Sequence, residues 1–393
     1  MATVWLAAGT ILYLDGGGHF WVFLNWALGL KAAGCNVVWV ESAPDGRLLE
    51  RATRNAPALR ARLKAFGFQD LVVCSEDGER GIDQRSSDLL RRSYQADLLL
   101  DLSYAQCAPF LDRFRRSAIV DIDPGLLQQW LARGSMTVLP YDVFFTTGET
   151  VARGAANVPD VGVQWEYTPP CVTLEAWPLV RAPADAKYTT VSHWEGREWV
   201  EHSGESYDNT KRAGFLPFLT LPHRSPAPLE LALSLGDADD PEIKRLESYG
   251  WSVRDSYGVC ATPEGYRTYI QASRGEFSCA KPSCVRLQNA WISDRTLCYL
   301  ASGKPAVVQH TGPSEVLPDR LGLLRFSTLE EAIELLAEAE TNYARHASAA
   351  RELAEQQFDA RRVAAHVVER ALGTRTGGAS AMSPSSQRPE PPQ

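Results

Sequence analysis

The sequence lacks the features of a membrane or secreted protein. No run of about 18 consecutive apolar residues occurs in the 393 residues, although a membrane-spanning helix needs about 20. Residues 1–9 lack the charged start and the long apolar core of a signal peptide. We therefore expect a cytoplasmic protein without stable membrane association.

The sequence also lacks an excess of positive charge. Lys and Arg number 40 against 48 Asp and Glu, which gives a formal net charge of −8. A protein that grips phosphate backbones needs clustered cations, so we expect no nucleic-acid partner.

Paired cysteines are missing as well. The eight cysteines are scattered and include no CxxC pair, so we expect reduced thiols. Cys279 and Cys284 are close in sequence, but a zinc site usually needs two such pairs or nearby histidines. The sequence therefore predicts no metal site.

The amino-terminal half shows an alternation of strands and helices. A strand at 3–8, a glycine loop, a helix at 19–33 and a strand at 36–41 form a unit of the size typical of βαβ. Short apolar runs that suit strands buried on both faces follow at 70–74, 97–102, 117–122 and 142–146. This half is predicted to be a doubly wound α/β domain, residues 1–180.

The carboxyl-terminal half repeats this alternation after a proline-rich boundary at 157–185. Predicted strands lie at 188–192, 229–235 and 252–255, and predicted helices at 242–249 and 263–272. From 328 to 372 the pattern is helical, with Thr328 and Glu331 as a capping box and a break near 358–359.

The fold class that follows is α/β, with two doubly wound Rossmann-like domains facing a cleft. We assign residues 186–357 to the second domain and 358–372 to a helix that crosses back to the first. Residues 373–393 are rich in Ser, Pro, Gly and Gln and are predicted to be a disordered tail.

One corner of the second half predicts a ligand site. In the stretch SDRTLCYLASGKPAVVQHTG, residues 293–312, a helix ends at Gly303 and Pro305 prevents its continuation. A short apolar strand at 306–308 then ends on His310, Thr311 and Gly312. In open α/β sheets, ligands bind beyond the carboxyl ends of strands.

This corner, together with GLLRF and Leu-Glu-Glu-Ala downstream, resembles the carboxyl-terminal domain of GT-B glycosyltransferases of the family 1 and family 4 type. The resemblance implies transfer of a sugar from a UDP-, GDP- or dTDP-activated donor, with no cofactor and no metal. Residues 302–308 match the segment that lies against the donor's ribose and diphosphate. Many of these enzymes have a ribose-binding glutamate where this chain has Cys298, so we expect Asp294 to make that contact.

The glycine loop GGGHFW, residues 16–21, opens the first helix. Its backbone amides and the positive end of the helix suit an anionic ligand. The dinucleotide fingerprint needs a third glycine that the loop lacks, although Glu41 ends the second strand where the acid of that motif belongs.

The longer stretch GGGHFWVFLNWALGLKAAG is similar to the amino-terminal loop and helix of GT-B enzymes. The resemblance implies that His19 presents a basic or acceptor-contacting group to the cleft. We expect Gly17 and Gly18 to contact the donor through their backbone amides.

Imidazole suits a base, because its ordinary pKa near 6.5 lets it accept a proton from a hydroxyl at neutral pH. Asp101, Asp121 and Asp123 lie at predicted strand ends on the same sheet edge, and each is a candidate to orient His19. Asp123 is preferred because Pro124 pins it in a turn. If transfer retains the anomeric configuration, His19 would instead hold the sugar or steady the developing charge.

The alternative is that His19 caps its helix and that the aspartates form turns.

The leaving diphosphate needs cations and hydrogen-bond donors. The candidate cations are Arg295, Lys211, Lys281 and Arg286, and the candidate donors are Ser293, Thr311 and Gly312. His193 ends the first strand of the second half, where a base or sugar would stack.

Two alternatives to a glycosyltransferase with a small-molecule acceptor stay open. One is an NAD-dependent oxidoreductase. The other is a non-catalytic protein that binds nucleotide sugars or carbohydrates with the same fold. Eleven tryptophans, several of them in predicted loops, supply flat surfaces for a sugar or an aromatic acceptor.

Overall fold

The computed structural model describes residues 1–194, 199–202, 204–235, 240–317 and 320–373. Residues 374–393, nearly all of the predicted disordered tail, lie outside that part of the chain. The described residues form two seven-stranded sheets and one two-stranded sheet.

The first sheet is parallel throughout and has the strand order β3-β2-β1-β4-β5-β6-β7. The order reverses beside β1, which makes the sheet doubly wound. Its strands are β1 Thr3–Ala8, β2 Asn36–Ala43, β3 Leu71–Ser75, β4 Leu98–Asp101, β5 Ser117–Asp121, β6 Val143–Thr146 and β7 Trp165–Tyr167. The helices among them are α1 Gly17–Ala32, α2 Arg47–Ala65, α3 Gln84–Leu90, α4 Ala108–Leu111, α5 Leu126–Ala132 and α6 Glu149–Ala152.

The second sheet has the order β12-β11-β8-β13-β14-β16-β15 and is parallel except for the last strand, β15. Its strands are β8 Tyr188–His193, β11 Leu229–Ser234, β12 Ser252–Asp255, β13 Gly275–Ser278, β14 Ala306–Gln309, β15 Arg320–Leu321 and β16 Leu323–Phe326. A separate hairpin pairs β9 Trp199–His202 with β10 Glu205–Asp208.

The helices of the second half differ in length. They are α7 Lys211–Phe215, α8 Pro241–Ser248, α9 Ser256–Cys260, α10 Pro263–Ala272, α11 Pro282–Leu287, α12 Asp294–Ala301, α13 Leu329–Thr341, α14 Tyr343–Gln357 and α15 Ala360–Leu372. The predicted capping box is present, because Thr328 Oγ1 accepts from Glu331 N at 3.2 Å and Glu331 Oε2 accepts from Thr328 N at 3.2 Å. No helix in the described ranges is both long and apolar enough to cross a membrane.

The last helix returns to the amino-terminal half. Val172 N donates to Phe358 O at 2.8 Å, and Ala360 N donates to Val172 O at 3.0 Å, so the chain is tied down just before α15. Helix α15 then packs on α1, where a Cβ on Gly29 would lie 2.5 Å from the Ala360 carbonyl oxygen. Glycine at this position therefore permits the contact between the two helices.

Candidate functional site

A polar cavity of about 240 Å³ lies between the two halves of the molecule, and we call it the cleft. Its walls come from the loop and first turn of α1, the end of β8, the short helices α9 and α10, and the start of α12. Seven of the predicted site residues line it: Gly17, Gly18, His19, His193, Ser293, Asp294 and Arg295.

The glycines at the start of α1 bring the two halves into contact. A Cβ on Gly17 would lie 2.3 Å from the Thr262 carbonyl oxygen, and one on Gly18 would lie 2.6 Å from the Tyr266 ring. Both distances are too short for a side chain, so these positions require glycine. Trp21 on the next turn donates from Nε1 to Pro263 O at 2.8 Å. The first turn of α1 is thereby fixed against the second half.

His19 is exposed in the cleft and is held by the loop that precedes it. Its Nε2 lies 2.9 Å from Gly9 O. A carbonyl oxygen only accepts, so Nε2 carries the proton and the lone pair of the neutral ring is on Nδ1. The rings of Tyr13 and Phe23 pack edge-on against the imidazole at centroid distances of 5.9 and 5.2 Å. Thus a backbone carbonyl holds Nε2, where the sequence predicted a carboxylate.

Asp101 is fully buried and is committed to its own surroundings. It accepts from Tyr141 OH at 2.5 Å and from Ser103 N and Oγ at 2.8 Å each. Burial raises the pKa of this carboxyl group, and the hydrogen bonds oppose that effect. Asp101 therefore stabilises the turn at Ser103 and fixes the position of the Tyr141 hydroxyl group.

Asp121 is also fully buried. It accepts from Gln128 Nε2 at 2.9 Å and Thr146 Oγ1 at 2.8 Å. Burial raises its pKa to about 7. Among the described residues, the cleft lining includes none of Asp101, Asp121 and Asp123.

Asp123 differs from the other two aspartates because it is only partly buried and its charge affects a carboxyl group of the second half. It contributes to raising the pKa of Asp294, at the start of α12. Asp123 is thus electrostatically coupled to the cleft.

The start of α12 presents Ser293 and Asp294 to the cleft. Ser293 is the N-cap, and its Oγ accepts from Arg295 N at 3.3 Å. Burial raises the pKa of Asp294 to about 7, with Asp123 adding to the effect, while Arg295 opposes it. The Asp294 carboxyl group therefore changes charge near neutral pH.

Arg295 ties α12 to the ends of two strands. Its Nε donates to Glu276 Oε1 at 2.8 Å, and its terminal nitrogens donate to Val191 O at 3.0 Å and Ser278 Oγ at 2.6 Å. Glu276 is fully buried, so its negative charge balances much of the guanidinium charge. Arg295 lines the cleft, but it contributes less net positive charge there than its side chain alone suggests.

Lys211 is the next cation, beyond Arg295. Its Nζ donates to Cys279 O at 2.6 Å. Burial, and then the neighbouring Arg295 cation, lower its pKa to about 7. Lys211, Arg295, Ser293 and Thr311 share the lining of a small cavity of about 20 Å³.

Of the residues after β14, Thr311 lies beside the small cavity, whereas His310 and Gly312 make structural contacts. Thr311 Oγ1 donates to Trp291 O at 2.6 Å beside that small cavity. Gly312 has φ +142°, and a Cβ on it would lie 2.7 Å from Gln288 O. His310 Nδ1 accepts from Gly312 N at 3.2 Å. Neither His310 nor Gly312 appears in the described lining of the two cavities.

Arg286 lies at a different place. It donates to Glu205 Oε2 at 3.1 Å and stacks over the Tyr207 ring at 4.3 Å, so it braces the β9–β10 hairpin.

The cysteines are buried or partly buried and free. Cys298 has its Sγ 3.4 Å from Asp294 O, and burial raises the pKa of its thiol well above the usual range. An interaction with Asn25 of α1 partly opposes that shift, so Cys298 lies where α12 meets α1. Among the described residues, no group of three or more His, Cys, Asp or Glu side chains is placed to hold a metal ion.

Glu41 has a structural role in this fold. Its fully buried carboxylate accepts from Thr10 N at 2.9 Å, Ile11 N at 3.1 Å and Trp39 Nε1 at 2.8 Å. Thr10 Oγ1 adds a further hydrogen bond at 2.5 Å. The acid that would bind a ribose in a dinucleotide site therefore holds the loop after β1.

Several lining residues were missed from the sequence: Tyr13, Asp15, Tyr257, Cys260 and Tyr266. Tyr13 and Asp15 directly precede the glycine loop, and that adjacency was a usable signal. Tyr257 and Tyr266 come from the other half, and no local pattern indicates that they face α1.

The arrangement defines a two-domain α/β protein with a ligand-sized polar cleft between its sheets. No family model matches the chain, and no curated protein matches it. Solved structures with the GT-B fold do match. Anabaena Alr3699/HepE in complex with UDP-glucose is 10% identical with a TM-score of 0.56, covering 94% of this chain and 99% of that chain.

Two further structures are similar to this chain. An alpha-glucosyltransferase in complex with UDP and a 13-mer DNA is 11% identical with a TM-score of 0.57, covering 93% of this chain and 98% of that one. Sucrose-phosphate synthase from Thermosynechococcus elongatus is 12% identical with a TM-score of 0.53, covering 94% and 98%. The predicted fold class is confirmed: the chain has the GT-B fold of two Rossmann-like domains.

Proposed function

We propose that this protein is a glycosyltransferase that moves a sugar from a nucleoside-diphosphate donor to an acceptor hydroxyl in the cleft. The observation that carries the proposal is the meeting of two helix amino termini, those of α1 and α12, at one polar cavity of about 240 Å³. Helix amino termini stabilise anions, and a donor diphosphate is the anion that such a cavity suits.

The donor side of the proposal rests on the second domain. Ser293 and the first amides of α12 would donate to the diphosphate, and Lys211 would add positive charge as it leaves. Arg295, balanced by Glu276, would position α12 and donate a hydrogen bond rather than supply a free charge. Asp294 would accept from the ribose hydroxyls, and His193 would stack on the base or sugar.

The acceptor side rests on the first domain. With Nε2 donating to Gly9 O, His19 has Nδ1 available to accept the acceptor proton as the sugar carbon is attacked. Gly17 and Gly18 bring the α1 amides close to the second domain, so donor and acceptor groups meet across a short gap. Asp123 would act at a distance on the charge of Asp294.

We further propose that the transfer uses no metal and no cofactor, with Lys211 and the α12 amides neutralising the leaving group. For the acceptor we propose a small molecule. One similar structure is bound to DNA; the net charge of −8 in this chain favours a partner other than a polyanion.

The two alternatives differ from the transferase in different ways, one in its ligand and the other in its lack of turnover. An NAD-dependent oxidoreductase needs an acid for the ribose, and the use of Glu41 within the β1 loop speaks against it. A non-catalytic protein would bind the donor and leave it unchanged.

A thermal-shift panel distinguishes the transferase from the oxidoreductase, since a ligand that binds the folded state raises its melting temperature. Release of nucleoside diphosphate from the donor distinguishes the transferase from the non-catalytic protein. We expect UDP, GDP or dTDP to stabilise the protein and NAD to leave it unchanged. Stabilisation by NAD alone would overturn the transferase proposal.

A further inference from the structure

The amino-terminal domain contains a second cavity, of about 280 Å³, which we call the aromatic pocket. Among the described residues, none lines both this pocket and the cleft. The walls of the aromatic pocket come from β5, β6, β7, α5, the loop after β4 and the loop between α5 and β6. Its main wall residues are Tyr104, Leu131, Tyr141, Phe144 and Trp165.

Three rings form a continuous wall of the aromatic pocket. Phe144 packs edge-on against Tyr141 at 5.8 Å and against Trp165 at 5.7 Å between ring centroids. Edge-on packing leaves ring faces and edges available to a further flat molecule. The lining is mostly apolar, which suits an aromatic ligand over a sugar or a phosphate.

The pocket opens to solvent beside Thr137 and Val138, and its volume is that of a ligand site. A designed apolar cavity of about 150 Å³ binds benzene. The volume of 280 Å³ is nearly twice that and accommodates two fused rings.

Two tyrosines of this wall are fixed by the aspartates at the sheet edge. Tyr141 OH donates to Asp101 at 2.5 Å, and Tyr104 OH donates to Asp121 at 3.3 Å. Tyr104 OH also accepts from Ile122 N at 2.6 Å. Tyr104 has φ +58°, a left-handed conformation that a bulky residue rarely adopts. Strained backbone of this kind clusters at ligand sites.

Gln106 lines the pocket and carries an unmatched acceptor. Its Nε2 donates to Ser42 Oγ and Ser103 Oγ, each at 3.3 Å. Ser42 Oγ donates to Ala105 O, and Ser103 Oγ donates to Asp101, so each hydroxyl has already used its proton. The amide orientation is thereby determined, and Gln106 Oε1 is buried without a hydrogen-bond partner.

We propose that the aromatic pocket is a second ligand site, which binds a flat molecule of about two fused aromatic rings with one hydrogen-bond donor. The rings fill the apolar space, and the donor satisfies Gln106 Oε1, which is costly to leave unpaired. This site does not depend on the proposed transferase activity.

The test uses 1-naphthol and naphthalene, which differ by one donor, in ligand-observed NMR titrations of the full chain. We expect 1-naphthol to bind about tenfold more tightly, the effect of one hydrogen bond to a buried acceptor. Gln106→Met should weaken 1-naphthol to the level of naphthalene. Equal affinities for the two probes in the wild type would overturn the donor requirement.

Substitutions locate the site. Leu131→Trp on the partly exposed helix α5 fills the pocket and should abolish binding of both probes. If that variant does not fold, Met136→Trp in the loop between α5 and β6 fills the same pocket and replaces it in the test. Ser256→Trp, which introduces the same residue in the cleft, should leave both affinities unchanged. Absence of binding to the wild type, survival of binding in both filled variants, or its loss in Ser256→Trp would overturn the proposal.

Discussion

His19 Nε2 donates to the carbonyl oxygen of Gly9 at 2.9 Å, so the loop between β1 and α1 sets both the position and the tautomer of the imidazole. An imidazole held in this way needs no carboxylate hydrogen-bonded to Nε2 to keep Nδ1 unprotonated, because the carbonyl already holds the proton at Nε2.

From this geometry, His19→Ala should lower kcat by a factor of about 100 or more, as expected for loss of a general base. The dissociation constant for the nucleoside diphosphate should change by less than about twofold, because the helix amides remain. His366→Ala, an exposed histidine on α15, is the control and should behave like the wild type. Full activity of the His19 variant would make the imidazole structural.

Asp294→Asn should stabilise the protein more at pH 8 than at pH 5. Burial raises the pKa of Asp294 from 3.8 to about 7, so the folded state holds the proton more tightly than the unfolded chain. The resulting stabilisation is present at low pH and is lost as pH rises towards and through about 7. Removal of the charge should then gain about 3 kcal/mol more in the free energy of unfolding at pH 8 than at pH 5, about 1.4 kcal/mol for each pH unit between pH 5 and the pKa.

Urea unfolding at the two pH values measures this difference, with Asp185→Asn, an exposed aspartate, as the control. An equal gain at both pH values would contradict the raised pKa. The same variant should bind the nucleotide sugar more weakly, because an amide is a poorer partner for ribose hydroxyls than a carboxylate.

Lys211 should make donor binding depend on pH. Its pKa is lowered to about 7, so the ammonium is charged below that pH and neutral above it. Because a diphosphate binds the charged form, we expect the dissociation constant of the nucleotide sugar to rise several-fold between pH 6 and pH 8.5. Calorimetric titration at constant ionic strength measures it. Lys211→Arg should flatten the dependence of the dissociation constant on pH, since arginine stays charged. An unchanged slope in that variant would exclude Lys211 as the source of the pH dependence.

Gly17→Ala should disrupt the contact between the two domains at the start of α1. The added Cβ would lie 2.3 Å from Thr262 O and 2.4 Å from Cys260 O, and backbone atoms yield little. We expect a loss of about 2 kcal/mol or more in the free energy of unfolding, together with weaker donor binding. Gly258→Ala, whose nearest neighbour would be Asp255 Oδ2 at 3.6 Å, is the matched control. A melting temperature unchanged from the control would contradict this packing.

Much of the fold could be predicted because the apolar runs are local signals. The strand Thr3–Ala8 and the helix Pro263–Ala272 have the predicted bounds, since an apolar run and a proline mark their limits. Strand β13 was missed because Glu276 and Ser278 make its sequence polar. Both are buried in the fold, where Arg295 satisfies them from 17 or more residues away, and no local pattern contains that partner.

The candidate site could likewise be predicted only in part, because local signals locate residues but not the direction of their side chains. Helix and strand boundaries predicted Ser293, Asp294 and the glycine loop at sheet edges, and all of them line the cleft. Side-chain direction could not be predicted: Asp101 ends its strand as expected, yet its carboxylate accepts from Tyr141 in a buried position. That orientation depends on a tyrosine 40 residues away, which sequence spacing does not reveal.

Release of nucleoside diphosphate from a panel of UDP-, GDP- and dTDP-sugars tests most directly whether the protein turns over a nucleotide sugar in the cleft. We predict that at least one donor is turned over by the wild type, by transfer or by slow hydrolysis, and that His19→Ala binds that donor without turning it over. Donor binding by the wild type with no release of diphosphate from any member of the panel would contradict the account.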